Sequence, residues 1–157
     1  GNFDTAAAMH EEALAIRRRL GSTQGLAQSL QNLGSLSQAR GQLDAATACF
    51  EESLTMFQSL RDTRSVGQVA DGLAEIHYAL GHRSLAVQLW SASKSIRLAS
   101  GILPSGAGQE RMEAQWAAVE QEMGAEEFRA AWAQGSVLDF DGACSLALSK
   151  ANRSPYQ

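Results

Sequence analysis

The 157-residue chain has few of the residues that interrupt helices or staple small folds. It holds two prolines, Pro104 and Pro155, so more than a hundred residues pass before the first obligatory helix breaker. It holds two cysteines, Cys49 and Cys144, far apart and without a spacing motif. Both read as reduced core thiols on helices of a cytoplasmic protein, in preference to a disulfide or a reactive thiol. No apolar run approaches the roughly 20 residues that span a bilayer, and no secretory leader is visible. Positive charge is scarce. A net charge of −4 disfavours a general nucleic-acid surface or an anionic-membrane surface. No convincing strand is present to carry a glycine-rich phosphate loop, and no serine or cysteine has a neighbouring base that would activate it. The histidines His10, His77 and His82 are not expected to converge, and no set of metal ligands shares a face. The expectation is therefore no enzyme, no metal and no cofactor.

What the chain does have is helical periodicity, clearest between Leu30 and Leu60. Leu26, Leu30, Leu33, Leu36 and Ala39 recur at three- and four-residue steps, which places them on one helical face. Gly41 ends that helix in the left-handed conformation glycine tolerates. Asp44 is the expected N-cap of the next helix, whose inward stripe is Ala46, Phe50, Ser53, Leu54 and Phe57. Two helices joined this closely form an antiparallel hairpin.

The hairpin recurs. Gly1, Gly41 and Gly81 are 40 residues apart, and 12 of 40 positions agree when 1–40 is laid on 41–80, among them Asp4/Asp44, Ala6/Ala46, Leu14/Leu54, Gln28/Gln68 and Leu33/Leu73. A weaker third copy keeps Ala86 and Ser93 and puts Trp90 where Phe50 stood. A fixed period of this length means stacked hairpins, each burying its apolar face on the next. The pattern Leu30-x2-Leu33-Gly34-x2-Ser37, then Ala46-x3-Phe50, resembles the tetratricopeptide repeat. Its usual unit is 34 residues and often closes with proline. Here the six extra residues are expected at the junction around Ser59–Arg64, where no proline stands. The resemblance implies an all-α fold, a right-handed α-α superhelix of antiparallel hairpins, over residues 1–103: a partial first unit at 1–40, a second at 41–80 and a third at 81–103.

Taken in order, helices are expected at 4–20, 23–40, 44–60, 63–80 and 84–100, with Asp62 or Thr63 and Ser84 as N-caps. Residues 4–20 read as the second helix of a hairpin whose first helix is missing. Its stripe (Ala6, His10, Ala13, Ile16) is expected to be partly uncovered, which makes a homodimer through 4–20 an alternative role. Arg17–Arg19 suit a helix C-terminus. From Pro104 the repeats give way to a helical cap, 104–157, with helices at 109–123 (stripe Met112, Trp116, Val119, Met123), 125–133 (Phe128, Trp132; ended by Gly135) and 140–148. Within it, residues 123–149, with Phe128, the Ala131-Trp132 pair, Gly135, Leu138 and the closing Ala143–Leu148, resemble the segment that closes repeat arrays in bacterial multidomain signalling ATPases and transcriptional regulators. That resemblance implies a protein-interaction module of a cytoplasmic regulator. In the tetratricopeptide family the first helix of each hairpin lines a concave groove. The residues carried onto that wall are Gln28, Gln31, Ser35 and Gln38, then Gln68, Asp71, Glu75 and Tyr78. Amide-rich and mildly acidic, it suits a protein or peptide partner with basic or neutral character.

Overall fold

The computed structural model describes residues 21–102 and 106–149, together with Glu12 and Ile16. Within them the chain is all-α, a solenoid of helical hairpins: α1 (Thr23–Ala39), α2 (Leu43–Ser59), α3 (Thr63–Ala79), α4 (Arg83–Ala99), α5 (Ala107–Met123), α6 (Ala125–Ser136) and α7 (Phe140–Ala147). The expected helix at 4–20, apart from Glu12 and Ile16, lies outside the described residues, as do Pro104 and the tail after Ser149.

The 40-residue period has a simple origin. Each of α1 to α4 is 17 residues long. α1, α2 and α3 are each followed by a three-residue turn whose middle residue is left-handed, Gly41 (φ 75°), Arg61 (φ 55°) and Gly81 (φ 84°), and the second residue after α4, Gly101 (φ 70°), is left-handed too. At every one of these ends the residue after the left-handed one bonds back across the last turn. Examples are Gln42 N to Ser37 O at 2.9 Å, Asp62 N to Phe57 O at 3.0 Å and His82 N to His77 O at 2.8 Å. This double return satisfies carbonyls that a helix end otherwise leaves open. The six residues beyond the common unit are thus shared along longer helices and are not pooled at Ser59–Arg64, because that turn is no longer than the others. Arg61 is the one non-glycine among the described residues to hold a positive φ, in a region that costs side-chain-bearing residues about 1 kcal/mol.

The helix starts differ from expectation in two places. Asp62 caps α3 as foreseen, accepting from Ser65 N at 3.1 Å and from the Ser65 hydroxyl at 2.7 Å. Asp44 and Ser84 do not cap; the caps are Gln42 and His82, and neither makes a side-chain cap bond. The three-residue turn leaves no room for a later start. Asp44 falls in the first turn, where its charge still faces the positive end of the helix.

The core follows the periodicity. Ala46, Phe50, Ser53, Leu54 and Phe57 are all buried, as are Leu73, Ala74, Ile76, Ala86, Leu89 and Trp90. In α1 the buried face is Ala27, Ser29, Leu30 and Gly34. Leu26, Leu33 and Leu36 are half-buried, and Ala39 is exposed rather than packed. The reason is Phe50, whose ring lies between two helix backbones. A Cβ added at Gly34 of α1 would stand 2.7 Å from it, and one at Gly72 of α3 2.9 Å away. The glycines, not the leucines, decide which side of α1 meets α2.

Hairpin partners α1/α2 and α3/α4 pack more extensively than α2 does on α3. Beyond α4 the regular stacking changes. α4 packs closely on α6 and only lightly on α5, while α7 turns back over α2, α3 and α4. Gly135 permits the α4–α6 approach: it is buried, and a Cβ there would fall 2.1 Å from the Gln88 carbonyl oxygen. It therefore lies inside α6, which runs on to Ser136, and does not end the helix at Ala133. Ser91 Oγ donates to Trp132 O at 2.6 Å across the same seam. Gly124 (φ 91°) makes the abrupt corner from α5 to α6.

Candidate partner-binding groove

Helices α1 and α3 stand side by side, and their polar positions meet. Gln31 Nε2 donates to Gln68 Oε1 at 3.1 Å, and Gln38 Nε2 donates to Glu75 Oε2 at 2.8 Å. Both links span 37 residues, three short of the repeat, so each joins a residue to the position almost one turn earlier in the next unit. Gln28 Nε2 reaches Gln31 Oε1 and Asn32 Oδ1, both at 3.2 Å, and the Ser35 hydroxyl donates to Gln31 O within its own helix. Gln28, Ser35, Glu75 and the amides between them form a continuous exposed or half-exposed strip.

Two residues assigned to this strip are engaged elsewhere. Asp71 turns toward α4, where its Oδ2 accepts from Arg97 at 2.7 Å. Both side chains are largely covered, and Asp71 Oδ1 is buried with no partner among the described residues. Burial therefore outweighs the Arg97 charge, and the Asp71 carboxyl titrates above its ordinary range. Gly67 one turn earlier admits the Arg97 stem, since a Cβ there would touch its methylenes at 3.0 Å. Tyr78 packs its ring 6.0 Å from Trp90 and donates its hydroxyl to Glu122 Oε1 at 2.8 Å. Arg83 Nε reaches the other Glu122 oxygen at 3.3 Å. The bond to Glu122 raises the Tyr78 phenol, and the bonds from Tyr78 and Arg83 lower the Glu122 carboxyl. So Tyr78 ties the strip to α5.

The histidines depart from expectation. His77 and His82 do meet, with Nδ1 atoms 3.3 Å apart. His77 lies in the last turn of α3, and the left-handed Gly81 swings His82 back over that helix end. Burial, and then the His82 charge, push His77 down to about 4. Two rings are not a metal centre, and no group of three or more His, Cys, Asp or Glu side chains is placed to hold an ion among the described residues. Cys144 is buried and its thiol is pushed up to about 11, chiefly by burial. Cys49 is half-buried, with its thiol also raised. Neither is an activated nucleophile, because reactivity follows the thiolate. No described helix is long and apolar enough to cross a membrane.

Residues 1–59 match the tetratricopeptide repeat family model. The match takes in α1 and α2 and supports a tetratricopeptide-repeat module, a class of non-enzymatic protein-interaction scaffold. The 20-residue helix-plus-turn build continues through α3 and α4, beyond the matched segment. No curated protein and no solved structure matches the chain.

Proposed function

We propose that the chain is a scaffold that binds a basic or neutral peptide segment of a partner protein along the α1/α3 wall. The observation that carries this is the pair of inter-unit bridges, Gln31–Gln68 and Gln38–Glu75. These amides bond to one another in the free protein, and a peptide backbone offers the same donors and acceptors. Exchanging one set for the other costs little, because the net worth of such a bond is only about 1 kcal/mol. Glu75, exposed at the strip, supplies attraction for a basic side chain. The tail's resemblance to the closing segment of bacterial regulator arrays supports a place in a cytoplasmic regulatory protein, where a bound partner biases a neighbouring domain.

The test is fluorescence anisotropy with labelled extended peptides rich in lysine, in glutamate, or in serine. The lysine peptide should bind best, and Gln31→Arg with Glu75→Arg should weaken it at least roughly tenfold. Equal binding of the three peptides, or indifference to the double substitution, refutes the groove. One observation favours a second reading, self-association through 4–20: Ile16 is 48% exposed. A concentration-independent monomer by light scattering at micromolar protein would remove it.

A further inference from the structure

We infer that the cap carries a second docking site, independent of the α1/α3 wall, for a basic amphipathic helix of a partner protein. The site is the open groove between α5 and α6, about 570 Å³ in volume. Trp116 on α5 and Phe128 and Trp132 on α6 form its apolar walls. Trp132 stacks on Phe128 (centroids 5.5 Å apart, 23° between planes) and meets Trp116 edge-on at 4.9 Å. Ala117 and Ala133, both small, leave space between the rings.

The groove exists because α5 is held only lightly. Its stripe of Met112, Trp116, Val119 and Met123 sends a single side chain, Val119, fully into the core. In a regular solenoid the next helix would cover this face. Here α7 turns back over α2, α3 and α4 instead. Lys94 of α4 approaches the tryptophans, at 5.2 Å and 5.5 Å from the ring centroids, but takes no part in lining the groove.

Charge selects the occupant. Glu113 and Glu120 line the α5 side, with Arg129 opposite. Over α5 and α6 together there are six glutamates (Glu110, Glu113, Glu120, Glu122, Glu126, Glu127) against two arginines (Arg111, Arg129). A helix presenting an apolar ridge to the rings and lysines or arginines toward Glu113 and Glu120 satisfies both features. An acidic helix meets the same rings with the wrong field.

The chain's three tryptophans make the test site-specific. Trp90 is buried in the repeat core and serves as an internal reference. The probe is a synthetic amidated helix of about four turns, with leucine at i, i+3, i+4 and i+7 and lysine on its flanks. A counterpart has glutamate in place of lysine. In ¹⁵N-labelled protein the lysine peptide should shift the Trp116 and Trp132 indole signals and leave Trp90 in place, and the glutamate peptide should shift neither. Glu113→Lys with Glu120→Lys should weaken binding at least roughly tenfold while leaving the unfolding midpoint unchanged. No binding tighter than about 1 mM overturns the proposal, as does equal binding of both peptides. If Glu75→Arg abolishes binding and the Glu113/Glu120 pair is silent, the peptide occupies the α1/α3 wall, and the cap site is again overturned.

Discussion

Gly135→Ala is the substitution whose sign depends most on the tertiary structure. In an exposed helix, glycine to alanine stabilises by roughly 0.5–1 kcal/mol, because alanine has less backbone freedom to lose. At Gly135 the new Cβ would stand 2.1 Å from the Gln88 carbonyl oxygen and 2.8 Å from its carbonyl carbon. A carbon and a carbonyl oxygen in close contact sit about 3.3 Å apart. Helices α4 and α6 must therefore separate by about 1 Å, and neither side offers a flexible side chain to absorb the strain. The 2.6 Å bond from Ser91 Oγ to Trp132 O stretches with them, and the buried Ala131 loses its fit. Overpacking of this kind costs about 1–3 kcal/mol. Less the alanine gain, the expected result is a loss of up to about 2 kcal/mol, read as a lower urea midpoint by circular dichroism and by the fluorescence of Trp90, Trp116 and Trp132. Gly108→Ala is the control: nothing lies within 4 Å of its Cβ, so it should cost nothing and gain up to about 1 kcal/mol. If Gly135→Ala unfolds at the same urea concentration as the parent or later, the close approach of α4 and α6 is wrong.

Two further outcomes follow from the turns. His77 falls from 6.5 to about 4 on folding, so the unfolded chain binds the extra proton. Stability is then full above pH 6.5 and declines as the pH falls toward 4, by at most about 3 kcal/mol and nearer 2 where solvent reaches the ring. Urea midpoints measured across that window should show the decline, and His77→Gln should flatten it; an unchanged acid limb in the variant would falsify the assignment. Arg61 holds a left-handed backbone while its guanidinium reaches Asp141 at 2.7 Å and lies 4.8 Å over the Phe140 ring. Arg61→Gly and Arg61→Ala both lose those contacts, but only glycine relieves the backbone. The glycine variant should be the more stable by about 1 kcal/mol in thermal or urea unfolding, and the reverse order would contradict the turn geometry.

Much of the architecture was legible in the order of residues, because it is set locally. Three- and four-residue apolar spacing, glycine at the helix ends and a 40-residue recurrence each depend on neighbours along the chain. They were enough to place the hairpins, the Phe50 stripe and the start of α3 at Asp62 or Thr63. The polar strip was assigned from the tetratricopeptide resemblance together with helical phase, and within it Gln31 bonds to Gln68 and Gln38 to Glu75.

What the tertiary structure alone decided lies where two distant backbones meet. Nothing local separates Gly135, which seats α6 on α4, from a helix terminator, nor Gly34 and Gly72, which flank the Phe50 ring, from ordinary helix glycines. Asp71 and Tyr78 had the right helical phase for the groove, yet Arg97 and Glu122 claimed them from other helices. The meeting of His77 with His82 needed the left-handed turn at Gly81 in three dimensions. So did the light hold on α5, which leaves the aromatic groove open because α7 packs elsewhere. Periodicity says which face of a helix is apolar. It does not say how completely another helix will cover that face, since coverage is settled by the whole packing at once.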